Sequence, residues 1–357
     1  MTATPQNRKR VNLALQGGGA HGAFTWGVLD QFLADERLVI DGISGTSAGA
    51  MNAVVVADGL MKGGTAGARS ALRGFWRGIS DAALTSPLRR SPIDAFFGNW
   101  SLDHSPAYLM LDLINRLASP YELNPFNFNP VRDLLDELID FETVRICDRI
   151  NVFVSATNVE TGRVKVFERS ELTADMVMAS ACLPHVFQAV EIDGVPYLDG
   201  GYAGNPALFP FFYETDVNDI VVVQINPVER KGTPRTAREI LNRVNEITFN
   251  SSLLKEFRAI EFVDRLVDAG RLDRASYKVI LVHIVEGGDA LKPLGASSKL
   301  NAEWNFLLHL FGAGQAAARN WIDLHFDAIG VRSTVDLRAL FQGRESPSRM
   351  SAAKAAD

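Results

Sequence analysis

Apolar segments of strand length alternate with helical patterns in the first part of the chain. Residues 11–15 and 38–43 are mostly apolar, as expected for buried strands, and helical patterns follow them over residues 23–34 and 48–60. Two successive strand–turn–helix units are typical of a mostly parallel sheet covered by helices. Further apolar runs that fit the same sheet occupy residues 150–155, 220–225 and 279–285. We therefore predict an α/β fold of three layers (α/β/α) around a mostly parallel central sheet.

Two longer helical patterns lie in the second half of the chain, over residues 236–269 and 298–325. Each carries an apolar stripe, which predicts a helix that packs against the core. In the first pattern the stripe consists of Ile240, Val244, Ile247, Leu254, Phe257 and Ile260. We expect one domain over residues 8–335 and a loose tail over residues 336–357, which is polar and rich in Ala and Ser after Gln342.

A basic cluster adjoins the start of the first of these helices. It consists of Arg230, Lys231, Arg235, Arg238 and Arg243. The cluster fits a solvated loop and helix start, and contact with anionic lipid headgroups is the alternative interpretation.

Residues 84–130 interrupt the regular alternation, because they contain six prolines and seven aromatic residues. Within this segment, Ser105-Pro106 favours the start of a helix. One interpretation is an irregular insertion packed on the core. The other is a lid or an acyl-chain groove, since an enzyme that acts on fatty esters needs apolar surface near its nucleophile. The sequence leaves both interpretations open.

Composition and charge exclude several classes of function. With 47% hydrophobic and 22% charged residues, the chain has the composition of a globular protein with a large core. A formal net charge of -6 argues against a nucleic-acid partner, because Lys and Arg are not in excess. The two cysteines, Cys147 and Cys182, have no histidines nearby at the spacing of a metal site. We therefore expect neither a metal ion nor another cofactor.

The hydropathy pattern also bears on localisation. The apolar run at residues 11–15 is too short for the core of a signal peptide, and no stretch approaches the roughly 20 apolar residues of a membrane-spanning helix. We expect a cytoplasmic protein whose contact with a membrane, if it has one, is peripheral.

A glycine-rich loop follows the first predicted strand, where residues 16–22 read Q-G-G-G-A-H-G. Backbone N–H groups in such a loop, at the start of a helix, are suited to hold a negatively charged oxygen. This arrangement fits the oxyanion hole of an acyl-transfer enzyme. It also fits a dinucleotide site, because Gly17, Gly19 and Gly22 satisfy G-x-G-x-x-G and Asp41 lies where a ribose-binding acid is expected. The loop alone does not distinguish the two.

A second glycine-containing turn favours the enzyme. Residues 45–49 read G-T-S-A-G between the second predicted strand and the helix after it, which is the setting of a nucleophile elbow. Gly45 and Gly49 relieve crowding in the turn, so that the hydroxyl group of Ser47 projects from the end of the strand. A plain turn can share this short pattern, but a dinucleotide fold has no need of a second elbow. We predict that Ser47 is a nucleophile.

A nucleophilic serine needs a base. In α/β-hydrolases the base is a late histidine, and three histidines come late enough in the chain: His283, His309 and His325. Each lies within a strand or helix pattern, which favours a structural role. Asp199 is better placed, because it ends a hairpin-like run beside Gly200 and Gly201. A carboxylate within hydrogen-bond reach of the serine can accept its proton directly.

Together these segments resemble the patatin-like phospholipase family. The family pattern is a G-G-G-x-[RK]-G loop, a G-x-S-x-G elbow and a later D-G-[GA], which correspond to residues 17–22, 45–49 and 199–201. A family-like stretch at residues 179–187, and Asn205-Pro206 after the aspartate, extend the likeness over residues 11–206. The resemblance implies a hydrolase that cleaves fatty-acyl ester bonds of lipids, so that its partner is a lipid or another acyl ester.

The resemblance also implies the roles of the site residues. Ser47 is implied to be the nucleophile and Asp199 the general base of a dyad without histidine. The backbone N–H groups of Gly17, Gly18 and Gly19 are implied to form the oxyanion hole.

One position departs from the family pattern, which usually has a basic residue where this chain has His21. Histidine is only partly charged near neutral pH, so a strong fixed charge beside the oxyanion is in doubt and a pH dependence is expected. Three alternatives to the dyad enzyme remain at this point: a nucleotide-binding protein, an α/β-hydrolase with a Ser-His-Asp triad, and a lipid-binding module without turnover.

Overall fold

A computed structural model describes residues 8–342 and contains a mixed sheet of eight strands. In chain order these are β1 (Lys9–Leu15), β2 (Leu38–Gly45), β3 (Asn151–Asn158), β4 (Val164–Glu168), β5 (Val190–Ile192), β6 (Val195–Asp199), β7 (Asp219–Gln224) and β8 (Leu281–Glu286). Across the sheet the order is β5-β6-β3-β2-β1-β7-β8, and β4 pairs with β3. The five strands from β3 to β8 in this order run parallel, whereas β4, β5 and β6 form an antiparallel arm. The predicted mostly parallel sheet is therefore confirmed.

Helices cover this sheet. They are α1 (Gly22–Ala34), α2 (Ala48–Ala82), α3 (Pro92–Phe96), α4 (Pro106–Leu117), α5 (Pro120–Leu123), α6 (Pro130–Leu138), α7 (Phe141–Arg145), α8 (Ala174–Ser180), α9 (Pro210–Tyr213), α10 (Ala237–Asp268), α11 (Gly288–Leu291), α12 (Trp304–His325) and α13 (Leu337–Gln342). The helix predicted over residues 48–60 is the first part of α2, which is interrupted at Gly63 and Gly64, where the backbone is not helical.

Two hydrophobic cores lie on opposite faces of the sheet, because successive side chains of a strand point to opposite sides. In β7, Val221 and Val223 belong to the larger core, which also contains side chains of α1, α2 and α12. Ile220 and Val222 belong to the second core, together with side chains of α10 and α13. Burial of apolar surface on both faces stabilises a three-layer arrangement, and the predicted fold class is confirmed.

The second long helix begins later than the sequence predicts. Instead of a helix from residue 298, the chain forms a short 3-10 helix over Ser297–Leu300, and α12 starts at Trp304. Asn301 separates the two, because its Oδ1 accepts a hydrogen bond from the N–H of Glu303 at 3.0 Å and its Nδ2 donates to the carbonyl of Trp100 at 3.0 Å. Such local side-chain bonds compete with helical hydrogen bonds.

The apolar stripe of α10 is only partly buried. Phe257 and Ile260 pack in the second core, as predicted, but Ile240, Val244 and Ile247 are about half exposed, at 45%, 52% and 53%. The prediction of a core-facing stripe is wrong for this first half. Helical periodicity identifies an apolar face but not what covers it, and these three side chains belong to neither hydrophobic core.

Two residues of the basic cluster near the start of α10 are not simply solvated. Arg230 and Arg243 form ion pairs with Glu246.

The tail that we expected to be loose over residues 336–357 is partly helical. Within it, α13 packs on α10 with Leu337 buried, so the chain is helical over Leu337–Gln342. The rest of that tail lies outside the described residues.

The segment 84–130 contains α3, α4 and α5 and leaves much apolar surface uncovered. No residue of α4 is buried, and its Leu109, Met110, Leu113 and Leu117 are 45–79% exposed. Spaced three and four residues apart, these side chains form one ridge on the helix, hereafter the α4 ridge. Further exposed apolar side chains of the segment are Leu84, Ile93, Phe96, Phe97, Tyr121, Leu123, Phe126 and Phe128. Of the helices within residues 8–342, none is long and apolar enough to cross a membrane.

Candidate active site

Ser47 occupies a sharp turn between the end of β2 and the start of α2. Its backbone has a positive φ of 54° with ψ of -121°, a conformation that costs energy for any residue other than glycine. The flanking glycines allow this turn. A Cβ atom on Gly45 would lie 2.5 Å from the carbonyl carbon of Gly49, and one on Gly49 would lie 2.3 Å from the carbonyl oxygen of Leu15. The G-x-S-x-G spacing is therefore required by close backbone contact.

Two further interactions hold Ser47 at the first turn of α2. Its N–H donates to the hydroxyl oxygen of Ser180 at 2.8 Å, and its carbonyl accepts from the N–H of Met51 at 3.0 Å. The serine is thus placed at the positive end of the helix dipole, which favours negative charge at that point. Ser180 ends α8, within the family-like stretch 179–187, but its spacing alone gave no reason to assign it this contact.

Asp199 ends β6 and is held on three sides. Its N–H donates to the carbonyl of Cys182 at 2.8 Å, and its own carbonyl accepts from the hydroxyl of Thr157 at 2.9 Å. Its carboxylate Oδ1 accepts from the N–H of Gly201 at 2.7 Å. The hydroxyl of Ser47 lies near the same carboxyl group and lowers its pKa. The structure therefore brings the two residues of the predicted dyad together.

The pKa of Asp199 is raised from 3.8 to about 7, chiefly because burial penalises the charged carboxylate. Hydrogen bonds from Gly201 and Ser47 and the charge of Lys299 act in the opposite direction and lower the pKa. A carboxyl group that titrates near neutral pH is suited to accept a proton and later return it.

The glycine-rich loop lies between β1 and α1, beside Ser47. The N–H of Gly17 donates to Asn205 Oδ1 at 2.7 Å, and the carbonyl of Gly17 accepts from Asn226 Nδ2 at 2.7 Å, so both of its polar groups are engaged. The N–H groups of Gly18 and Gly19, at the start of a 3-10 helix (Gly19–His21), have no hydrogen-bond acceptor within the described part of the chain. They are the free donors of the loop.

The remaining motif glycines are sites of close packing. A Cβ atom on any of them would meet another group at 2.1–2.6 Å, which a side chain cannot tolerate without displacing that group. The glycines and their neighbours are Gly22 against the Ala48 side chain, Gly200 against the Ser155 carbonyl and Gly201 against the Phe249 ring. Gly22 thus lets the loop pack on the start of α2, and Gly200 and Gly201 let the aspartate turn pack on β3 and α10.

His21 is buried and neutral. The hydroxyl of Ser298 donates to the carbonyl of Gly295 at 2.7 Å, so its oxygen accepts the proton of His21 Nε2, which lies 2.8 Å away. Burial and the nearby charge of Lys299 lower the pKa of His21 to about 3. The expectation of a partly charged histidine is therefore wrong, because the imidazole is buried away from water and lies near the positive charge of Lys299.

The residues that the alternative interpretations need lie elsewhere or are already engaged. Asp41 is within β2, four residues before the strand ends, and forms an ion pair with Arg10. His283 has both ring nitrogens in hydrogen bonds, with Asp219 at 2.9 Å and Thr334 at 3.1 Å. The other two late histidines contact aromatic rings: His309 stacks on Trp100 and His325 lies against Trp321. None of these contacts involves Ser47.

A comparison with known protein families agrees with the motif pattern. The family model described as Patatin-like phospholipase matches residues 13–213, which is more than half of the chain. A search of curated proteins gives no match. Among solved structures, VipD from Legionella pneumophila is 16% identical with a TM-score of 0.43, and the match covers 89% of this chain and 67% of VipD.

A second structural match is the ExoU–SpcU complex of the type III secretion system of Pseudomonas aeruginosa. It is 14% identical with a TM-score of 0.29, over 87% of this chain and 52% of the other. The family assignment rests on the sequence model and on the three motifs, each of which the fold brings to one place. The chain belongs to the patatin-like phospholipase family.

Proposed function

We propose that the protein hydrolyses fatty-acyl ester bonds of lipids, with Ser47 as nucleophile and Asp199 as general base. The observation that carries this proposal is the proximity of a serine in a strained turn to a buried carboxylate whose pKa is about 7. A serine hydroxyl is a weak nucleophile until a neighbouring base accepts its proton. No histidine stands between the two residues, so the carboxylate acts on the serine directly.

The reaction has two halves. The Ser47 oxygen attacks the carbonyl carbon of the ester while its proton passes to Asp199, and the carbonyl oxygen becomes an oxyanion. The bond to the alcohol then breaks, and Asp199 returns the proton to the departing oxygen. A water molecule next attacks the acyl-enzyme and Asp199 accepts its proton. Asp199 passes that proton to the Ser47 oxygen as the acyl–oxygen bond breaks and the fatty acid is released.

The oxyanion is held by the N–H groups of Gly18 and Gly19. Donors that face the developing charge and need no rearrangement contribute most to such reactions. Gly17 was implied as a third donor, but its N–H already binds Asn205 Oδ1, so its role is to fix the loop. Gly19 has a positive φ of 57° and no room for a side chain, which keeps this part of the loop in place.

Segment 84–130 is proposed as the surface that meets the lipid. Hydrogen bonds attach the segment near the site at two points: the N–H of Leu102 donates to Ser297 Oγ at 3.2 Å, and Gln188 Nε2 donates to the carbonyl of Asn124 at 2.7 Å. Ser297 directly precedes Ser298, which binds His21. The carbonyl of Gln188 accepts a hydrogen bond from the thiol of Cys182, and the carbonyl of Cys182 accepts one from the N–H of Asp199. The exposed α4 ridge between these attachments offers apolar surface for acyl chains.

Covalent labelling by a fluorophosphonate tests the nucleophile without knowledge of the lipid. We expect the label on Ser47, identified by mass spectrometry of the labelled peptide, and turnover of a p-nitrophenyl ester. Ser47→Ala should lose both, and Asp199→Asn should lower kcat by about 10²–10⁴-fold, because the base is gone.

Ser44→Ala is the matched control, because Ser44 lies on the same peptide but donates its hydroxyl proton to the Ala207 carbonyl. This variant should keep the label. Turnover that survives in Ser47→Ala would refute the nucleophile. An active Asp199→Asn combined with an inactive His283, His309 or His325 variant would favour a triad, and tight binding of a dinucleotide without labelling would favour a nucleotide site.

A further inference from the structure

A positive charge reaches the glycine-rich loop from a distant part of the chain. Residue 21, inside the loop, is a neutral histidine with a pKa of about 3. The short 3-10 helix Ser297–Leu300 packs beside this loop and carries Lys299. This segment lies outside residues 13–213, to which the family model matches.

Lys299 is fixed to the loop by its side chain and by its backbone. Its Nζ donates to Asn226 Oδ1 at 2.7 Å, and the amide nitrogen of Asn226 donates in turn to the carbonyl of Gly17 at 2.7 Å. The carbonyl oxygen of Lys299 lies 2.4 Å from the position that a Cβ atom on Gly19 would occupy. The lysine and the loop therefore cannot move apart without breaking these contacts.

The same ammonium group is close to the turn that holds Asp199. Lys299 Nζ lies 5.4 Å from the ring centroid of Phe249, a favourable distance for a cation over an aromatic face. The Phe249 ring packs directly on Gly201, whose N–H donates to Asp199 Oδ1 at 2.7 Å. The cation thus lies near groups that hold both the loop and the predicted base.

The charges around these groups fix their protonation at neutral pH. Lys299 lowers the pKa of Asp199, while burial lowers the pKa of Lys299 itself to about 8 and the charges of Glu246 and Asp199 raise it, so the amine remains protonated at pH 7. The other titratable groups that face Asp199 are Cys182 and Tyr202, and both have raised pKa values. The groups that face Lys299 are His21, Asp199 and Glu246, and Glu246 is paired with Arg230 and Arg243.

We propose that Lys299 is a positioning residue for ester hydrolysis: its ammonium group supplies the positive charge that residue 21 lacks and keeps Asp199 ionised as a base. This inference rests on the proposed roles of Ser47 and Asp199. The cation acts through Asp199 and, by way of Asn226, on the placement of the Gly17 carbonyl.

The pH profile of Lys299→Met tests the proposal. Turnover of p-nitrophenyl butyrate by the full chain is measured from pH 5 to pH 10, with kcat and KM determined separately. Without the cation, Asp199 holds its proton more tightly, so we expect the acid limb of kcat to move up by about one pH unit. At pH 6 kcat should fall about tenfold, and it should recover by pH 9 with KM little changed.

Three further variants make the result specific. Lys299→Gln, a second neutral replacement, should show the same displacement, and Lys299→Arg, which keeps the charge, should leave the acid limb near its original position. Lys292→Met removes an exposed lysine that pairs with Asp289, and it should not move the limb. An unmoved limb in both neutral variants, or a loss of kcat equal at every pH, would overturn the proposal, because a merely structural lysine predicts that pattern.

Labelling separates failure of this inference from failure of the proposed function. In the wild-type chain, the rate of fluorophosphonate labelling at Ser47 should rise with pH along the same limb as kcat. If the wild-type serine is not labelled, the dyad itself is refuted. If it is labelled and the limb of Lys299→Met coincides with that of the wild type, the dyad stands and the role of Lys299 is refuted.

Discussion

Asp199 links the chemistry of the site to the stability of the protein, because a carboxyl group whose pKa rises on folding weakens the folded state when it ionises. The pKa is about 7 in the folded chain against an ordinary value of 3.8. Below pH 3.8 the carboxyl group is protonated in both states and costs nothing. As pH rises towards 7 the unfolded state is increasingly favoured, and above pH 7 the cost is complete.

Asp199→Asn should therefore stabilise the fold while it removes activity. A change from 3.8 to about 7 corresponds to an upper value of about 4 kcal/mol at pH 8, and we expect a measured gain of about 2–4 kcal/mol there. Urea unfolding at pH 5 and pH 8 should show a smaller gain at the lower pH. Asp289→Asn, at a fully exposed carboxylate, is the control and should show little difference at either pH. If Asp199→Asn were less stable than the wild type at pH 8, the ionised Asp199 carboxylate would not destabilise the fold as described.

At the scale of residues, the sequence predicts which residues form the candidate site but not their protonation states. Gly45 and Gly49 could be predicted because a glycine is needed wherever a Cβ atom would lie only 2.3–2.5 Å from neighbouring backbone, and the turn that creates this need is local. The neutral state of His21 could not be predicted, since it depends on burial and on a contact with Ser298, far along the chain. Lys299 left no sequence signal at all, because its partners Asn226 and Phe249 come from two other segments.

At the scale of elements, the crossing of α1 and α12 depends on two glycines. A Cβ atom on Gly27 of α1 would lie 2.0 Å from the carbonyl oxygen of Phe311, and one on Gly314 of α12 would lie 2.0 Å from that of Phe24. The two backbones are thus in direct contact, and α12 forms part of the larger core through Phe306 and Leu310. Such a crossing has no space for even one methyl group.

Gly314→Ala should destabilise the protein by about 1–3 kcal/mol, because the helices must separate to accept the methyl group. Gly312→Ala, two residues earlier in the same helix, is the control. No atom lies within 4 Å of its Cβ position, so alanine should stabilise by about 0.5–1 kcal/mol through its higher helix propensity. Urea denaturation of both variants measures the difference. Equal free energies of unfolding would show that the crossing is looser than described.

The boundaries and surroundings of elements were the less predictable part of the fold. Strands β1 and β2 could be predicted, since each is buried on both faces and its sequence is mostly apolar. The start of α12 was not, because Asn301 binds the Trp100 carbonyl, a contact between distant residues. The exposure of Val244 in α10 depends on what covers a face, which periodicity does not encode.

At the scale of the whole molecule, the candidate site is assembled from both halves of the chain. The residues of the proposed dyad and the glycine-rich loop come from the part that the family model matches, residues 13–213. Asn226, Phe249 and Lys299, which surround them, come from later residues where the sequence showed no resemblance. Motifs could therefore predict the reaction class, while the electrostatic setting of the site required the packed structure.

The proposed role of the α4 ridge concerns the whole molecule, because the ridge is proposed to act when the protein binds a lipid surface. Leu113→Gln combined with Leu117→Gln removes two exposed leucines from the ridge. We expect at least about tenfold weaker hydrolysis of phosphatidylcholine vesicles, since burial of each leucine contributes about 1.5–3 kcal/mol, and unchanged turnover of soluble p-nitrophenyl butyrate. Leu324→Gln is the control, because Leu324 is also exposed but lies on a different helix. It is near the C-terminal end of α12, about 30 Å from the start of that helix at Trp304. If the double variant and the control hydrolyse vesicles as fast as the wild type, the ridge has no part in lipid contact.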